Sequence, residues 1–250
     1  MKNNRMMWLI VVLVVFVTVA VTVGTNTGRG QEACESKTAS TPQNNPYGDL
    51  SKYPTVDYDA PEVATAPEHE ERAIKNKRYQ KSFPVTKDPS PDDIAVGGVD
   101  EDTPVPTKIP FAESRLVVIG EIIGSKAVLS NEKKAIYSEY SLRIETLLKR
   151  DKERKLRVGE TITIDREGGV VRYPSGQKIL YFVSFQSTPD VGGRYLFFLT
   201  NDDEKNPNYK LITAYQFKNG VVTSLDNFPD FGEFNGKSEA EFIKLVSGKP

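Results

Sequence analysis

Between Ile136 and Leu148 the chain alternates. Tyr140, Leu142 and Ile144 fall on one side; Glu139, Ser141, Arg143 and Glu145 fall on the other. A period of two belongs to extended backbone, so this is a half-buried β-strand. A second strand, Glu160–Arg166, carries Ile162 and Ile164 and stops at Gly168-Gly169. Between the two lies the densest positive run in the chain, Lys149–Arg157.

Other strands follow from the same signals. Leu116–Ile123 is a continuous apolar run that reads as a strand buried on both faces, with Gly120 marking a bulge or bend. Val170–Tyr173 and Ile179–Phe185 flank Pro174-Ser175-Gly176-Gln177 as a hairpin. Arg194–Thr200 is the most apolar strand. Tyr209–Phe217 and Val221–Leu225 meet across Asn219-Gly220, a strong hairpin signal. Ser238 with Glu241 three residues later is a capping box, which predicts a terminal helix over 238–247 with Phe242, Leu245 and Val246 on one face. The pattern predicts a mainly β domain: a small antiparallel OB-like barrel or sandwich with one C-terminal helix.

Composition places that domain at residues 111–250. Eleven of the 16 prolines fall between Pro42 and Pro110, whereas 17 of the 24 aromatic residues fall from Phe111 onward. Residues 24–110 therefore read as a disordered, Pro-rich tether with little apolar surface to bury. Within it, Glu68–Gln80 is a marginal helix.

Residues 1–5 are basic. Residues 6–23 are 18 uncharged residues, about 27 Å as a helix, close to a bilayer's hydrocarbon thickness. This segment reads as an uncleaved anchor with the N-terminus inside; a cleaved export signal is the alternative. Both place the remainder outside the cytoplasm.

The chain has one cysteine, Cys34, and one histidine, His69. Both precede residue 111. Within 111–250 a Cys/His zinc site, a Cys–His dyad and a Ser–His–Asp triad are excluded. Cys34 is a candidate for an intermolecular disulfide. Residues 111–250 carry 21 Lys and Arg against 19 Asp and Glu, too balanced for a nucleic-acid binder.

The strand opening Leu116-Val-Val-Ile-Gly-Glu-Ile-Ile123, the Glu145-Thr-Leu-Leu-Lys149 ending, Val158-Gly-Glu-Thr-Ile-Thr-Ile164 and Val191-Gly-Gly-Arg-Tyr-Leu-Phe-Phe-Leu199 resemble exported bacterial OB-like domains. These are similar in plan to netrin and tissue-inhibitor-of-metalloproteinase modules. The resemblance implies a fold and an extracytoplasmic setting. It does not imply protease inhibition, because that group's zinc-reaching cysteine has no counterpart in residues 111–250.

Candidate sites are few. Lys149, Arg150, Lys152, Arg154, Lys155 and Arg157 form a patch for an anionic partner: lipid headgroup, cell-wall polymer or envelope protein. Tyr181, Phe182, Phe185, Tyr195, Phe197 and Phe198 line a ligand cavity or, by the commoner arrangement, form core. Asp165 with Glu167 would be a hydrolytic pair, but their place at a strand end predicts solvated side chains. Asp202-Asp203-Glu204 matches no calcium loop. No catalytic residue, metal ligand or cofactor is assigned. The expected role is a non-enzymatic interaction or structural module, with a carboxylate-dependent envelope hydrolase or a small-ligand barrel as alternatives.

Overall fold

The computed structural model describes residues 48–61, 66–79, 84–98, 105–201 and 206–248. Residues 6–23, Cys34 and Asp202-Asp203-Glu204 lie outside the described residues.

In chain order the elements are β1 (Thr55–Asp57), α1 (Ala66–Tyr79), β2 (Ala95–Gly98), β3 (Leu116–Leu129), β4 (Ile136–Lys149), β5 (Thr161–Glu167), β6 (Gly169–Arg172), β7 (Lys178–Val183), β8 (Arg194–Thr200), β9 (Tyr209–Lys218), β10 (Val221–Ser224) and α2 (Glu239–Ser247). They form a six-stranded sheet, β10-β9-β5-β4-β3-β8, and a four-stranded sheet, β1-β6-β7-β2. β9 also pairs with β8. The domain is mainly β, as the alternation requires, but it is built as two sheets and not as one small barrel alone.

The long strands behave as their sequences dictate. β4 turns Tyr140, Leu142 and Ile144 inward, onto Leu116, Val118, Ile162, Ile164 and Phe197. β3 is buried on both faces over Leu116–Gly120 because its other face, Val117 and Ile119, packs with Phe198, Tyr215 and α2. Gly120 sits at a register shift against β4; a Cβ there would stand 2.3 Å from the Arg143 carbonyl oxygen. The Asn219-Gly220 turn has φ of 54° and 76°, the left-handed pair a two-residue hairpin requires.

α2 starts at the Ser238 capping box. It buries Phe242 and Val246, with the Phe242 ring 4.6 Å from that of Tyr215. Leu245, expected on the same face, is exposed. Ile243 packs in its stead, because the helix is rolled toward β9 and the Phe234 turn.

Residues 48–98 depart from the expected tether. β1 pairs in parallel with β6, and β2 in parallel with β7, so short pieces of this span form both outer strands of the smaller sheet. Val56, Tyr58, Val85 and Val96 join its core. Further on, Ile109 packs in the α2 core and the Lys108 carbonyl accepts from the Tyr215 hydroxyl. The physical reason is that backbone pairing and a few well-placed side chains supply the order that apolar content alone does not.

Candidate functional site

β5 alternates like β4, so Asp165 and Arg166 point to opposite faces. Ile162 and Ile164 face the core. Asp165 faces outward, and α1 lies over it. Its carboxylate accepts from Arg78 Nη1 at 3.1 and 3.3 Å and from the Tyr79 hydroxyl. Beside it on β4, Glu139 accepts from Lys75 of α1 and pairs with Lys126 at 3.0 Å. The Tyr79 ring stacks on Tyr137 at 5.2 Å. α1 is thus held less by an apolar stripe than by charge and aromatic contacts, which is why its sequence looks like a poor helix face.

The electrostatics follow from burial. Asp165 is 0 % exposed, and burial pushes its carboxyl above the ordinary value although Arg78 and Tyr79 pull the other way. Glu139 is also pushed up by burial, but Lys75 and Lys126 outweigh this and hold it below the ordinary value. Tyr79 and Tyr137 are both raised, first by burial and next by the carboxylates Asp165 and Glu139, so each keeps its proton. Between α1 and the sheet lies a polar cavity of about 220 Å³ that includes Arg72, Lys75, Lys126, Tyr137 and Glu139.

On the opposite face, Arg166 is buried as well. It donates to Asp226 at 2.9 Å, to the Ser187 carbonyl at 2.6 Å and to Gln186 at 3.2 Å. The expectation that Asp165 is solvated is therefore corrected. A strand end is open only if nothing crosses it, and here α1 does. Glu167, two residues on, is half-buried.

The basic run divides into two groups. Lys149 Nζ donates to the carbonyls of Phe111 and Ala112, at 2.6 and 3.1 Å. Arg150 donates to the Leu156 carbonyl at 3.3 Å. Arg154 donates to the Pro207 carbonyl, and its guanidinium lies 4.8 Å from the Tyr209 ring centre. Asp151, the buried acid of the loop, accepts from the Tyr209 hydroxyl at 2.8 Å and from the Glu153 amide at 2.9 Å. Lys152, Lys155 and Arg157 are exposed. Arg150, Arg154, Lys155 and Arg157 surround a cavity of about 310 Å³ whose apolar wall is Leu147 and Leu156.

The aromatic residues disperse. Tyr195 and Phe197 face the main core, Phe198 the α2 side, and Tyr181 the smaller sheet. Phe185 is 51 % exposed at φ 66° and leans on Phe228. His69 is an exposed residue of α1 whose carbonyl accepts from Asn131. Among the described residues no group of His, Cys, Asp and Glu is arranged to hold a metal, and no helix is long and apolar enough to cross a membrane. Sequence reasoning missed the α1 clamp and a concavity of about 740 Å³ between Tyr58, Lys87, Pro89, Tyr173 and Gln177. The acid-then-base order of Glu68–Gln80 was the one available signal for the clamp.

Comparison of the chain with protein-family models and with curated proteins found no match to either.

Proposed function

We propose that this chain is a non-enzymatic interaction module of the cell envelope, anchored through residues 6–23 with the β domain outside the cytoplasm, and that it meets an anionic partner through the Lys149–Arg157 loop. The observation that carries this reading is the anchoring of that loop. Lys149, Asp151 and Arg154 are bonded to Phe111, Tyr209 and Pro207 outside the loop, and Arg150 ties the loop to its own Leu156, so Lys152, Lys155 and Arg157 project from a fixed base. A pre-ordered cationic surface loses less entropy on binding than a floppy one.

Two further features support it. The pairings run β3-β4-β5-β9-β8 and return to β3, with β5 and β9 parallel over Ile164↔Tyr209 and Asp165↔Lys210. That order favours an OB-like plan whose seam is short. The buried acids Asp165, Glu139 and Asp226 are engaged as fasteners of α1 and of the Gln186-Ser187 turn. This weighs against the hydrolase alternative, since a substrate reaches Asp165 only if α1 lifts.

The test is sedimentation of the full chain with vesicles of phosphatidylglycerol or of phosphatidylcholine, and with isolated cell-wall polymer, across a salt series. We expect binding to an anionic surface in excess of that to phosphatidylcholine, which residues 6–23 alone supply; this excess weakens with salt and is lost in the Lys152→Glu, Lys155→Glu, Arg157→Glu variant. An undiminished excess in that variant would remove the loop from the function.

A further inference from the structure

The cavity under the basic loop is more than a charged surface. We infer that it is a binding site for a phosphoryl group, presented by a lipid headgroup or a free phosphate ester. This rests on the anionic-partner reading above and narrows it to one chemistry at one place.

Four cations, Arg150, Arg154, Lys155 and Arg157, converge on a space of about 310 Å³. The single acid in the lining, Asp151, is buried and already accepts from Tyr209 and the Glu153 amide. The lining therefore carries a net charge near +3, more than one carboxylate neutralises and suited to a phosphate that bears up to two negative charges. Three of the four cations are guanidiniums, whose planar forks match phosphate oxygens two at a time. Arg150 and Arg154 each commit one Nη to a backbone carbonyl, of Leu156 and of Pro207. Those bonds fix where the forks sit and leave other donors of the same groups for a ligand. Arg154 is further set by lying over Tyr209.

The cavity is larger than a bare phosphate needs. Its remaining wall is Leu147 and Leu156, which suits the short carbon skeleton next to a phosphate ester. Lys152 belongs to the same loop but does not line the cavity, so it separates the two ideas. General charge attraction counts Lys152 equally with Lys155 and Arg157. A phosphoryl pocket does not.

The experiment uses the full chain with three probes: glycerol 3-phosphate by calorimetry, and vesicles containing phosphatidic acid or phosphatidylcholine by sedimentation. The variants are Lys152→Gln, Lys155→Gln and Arg157→Gln, all at exposed positions where folding is unaffected; thermal unfolding checks this. We expect saturable glycerol 3-phosphate binding that falls about tenfold in Arg157→Gln and Lys155→Gln and stays within about twofold in Lys152→Gln. The phosphatidic acid arm, read as binding in excess of that to phosphatidylcholine because residues 6–23 anchor to either, should follow the same order. Glycerol 3-phosphate binding without this excess assigns the site to free esters; binding of both assigns it to the shared headgroup. An excess that falls equally in all three variants, with no glycerol 3-phosphate binding, overturns the pocket and leaves the general anionic reading standing. Failure of every anionic probe overturns both.

Discussion

Replacing Arg78 by methionine tests how α1 is held. Arg78 spans both oxygens of Asp165 from a side chain that is itself nearly buried. Arg78→Met leaves the carboxylate with the Tyr79 hydroxyl as donor and Lys75 as a second, more distant cation. Breaking a buried pair from one side costs about 3–5 kcal/mol, because a charge is left uncompensated. Two escapes limit the loss here. Burial already raises the Asp165 pKa, so protonation is within reach. α1 can also lift and admit water. We expect the lower end, about 3 kcal/mol. Adding Asp165→Asn removes the stranded charge and keeps an acceptor for Tyr79, so the double variant should recover a coupling of about 1.5 kcal/mol or more. Urea unfolding of the four proteins of this cycle gives the energies, and hydrogen exchange over residues 66–79 shows whether α1 opens first. A loss under about 1 kcal/mol, the scale of exposed pairs, would refute the clamp. So would a double variant whose loss equals the sum of the singles.

The pH dependence should follow Glu139. Its folded pKa lies below the ordinary 4.5, so its ion pairs stabilise above that value and the contribution is lost as pH falls through the folded pKa. Asp165, shifted upward, has the opposite sign and contributes nothing to acid release. The protection of α1 against hydrogen exchange, measured relative to the intrinsic rate at each pH, should therefore fall below about pH 4.5 in the native chain and respond far less in Glu139→Gln; matching profiles would contradict this. At Gly120 the Arg143 carbonyl leaves no room for a Cβ, whereas at Gly124 the nearest atom is 3.9 Å away. Gly120→Ala should lower stability by about 3 kcal/mol and Gly124→Ala by under about 0.5 kcal/mol, read from urea midpoints at constant slope; similar losses at both would mean the β3 bend is not what requires glycine.

Much of the larger sheet was legible because its signals are local. The alternation of β4, the bend at Gly120, the Asn219-Gly220 turn and the Ser238 capping box are each specified within a dozen residues, and the structure shows each one. Of the smaller sheet only the central β6–β7 hairpin was legible; its outer strands were not. β1 and β2 are three and four residues long, and their partners lie far along the chain: Thr55 pairs with Val170 and Ala95 with Leu180. No window of sequence contains such a pairing. α1 was hidden differently, since the residues that seat it, Lys75, Arg78 and Tyr79, look like a solvated surface until Glu139 and Asp165 stand opposite. The same reasoning applies to the basic loop. Its charge was visible, but the division into cations bonded to carbonyls and cations projecting outward depends on Phe111, Pro207 and Tyr209, which only folding brings near.

Asp165 and Arg166 are neighbours of opposite charge on opposite faces, each with a complementary group waiting for it. Such an arrangement proofreads alignment. If β5 slipped along β4 by one residue, every side chain would change face. Asp165 would leave Arg78 and turn toward the side that carries Asp226, while in one direction of slip Arg166 would arrive beside Arg78 and Lys75. Hydrophobic alternation alone penalises a slip by exposing Ile162 and Ile164. The adjacent charges add repulsion on both faces at once, so the misaligned sheet is not merely less stable but actively opposed.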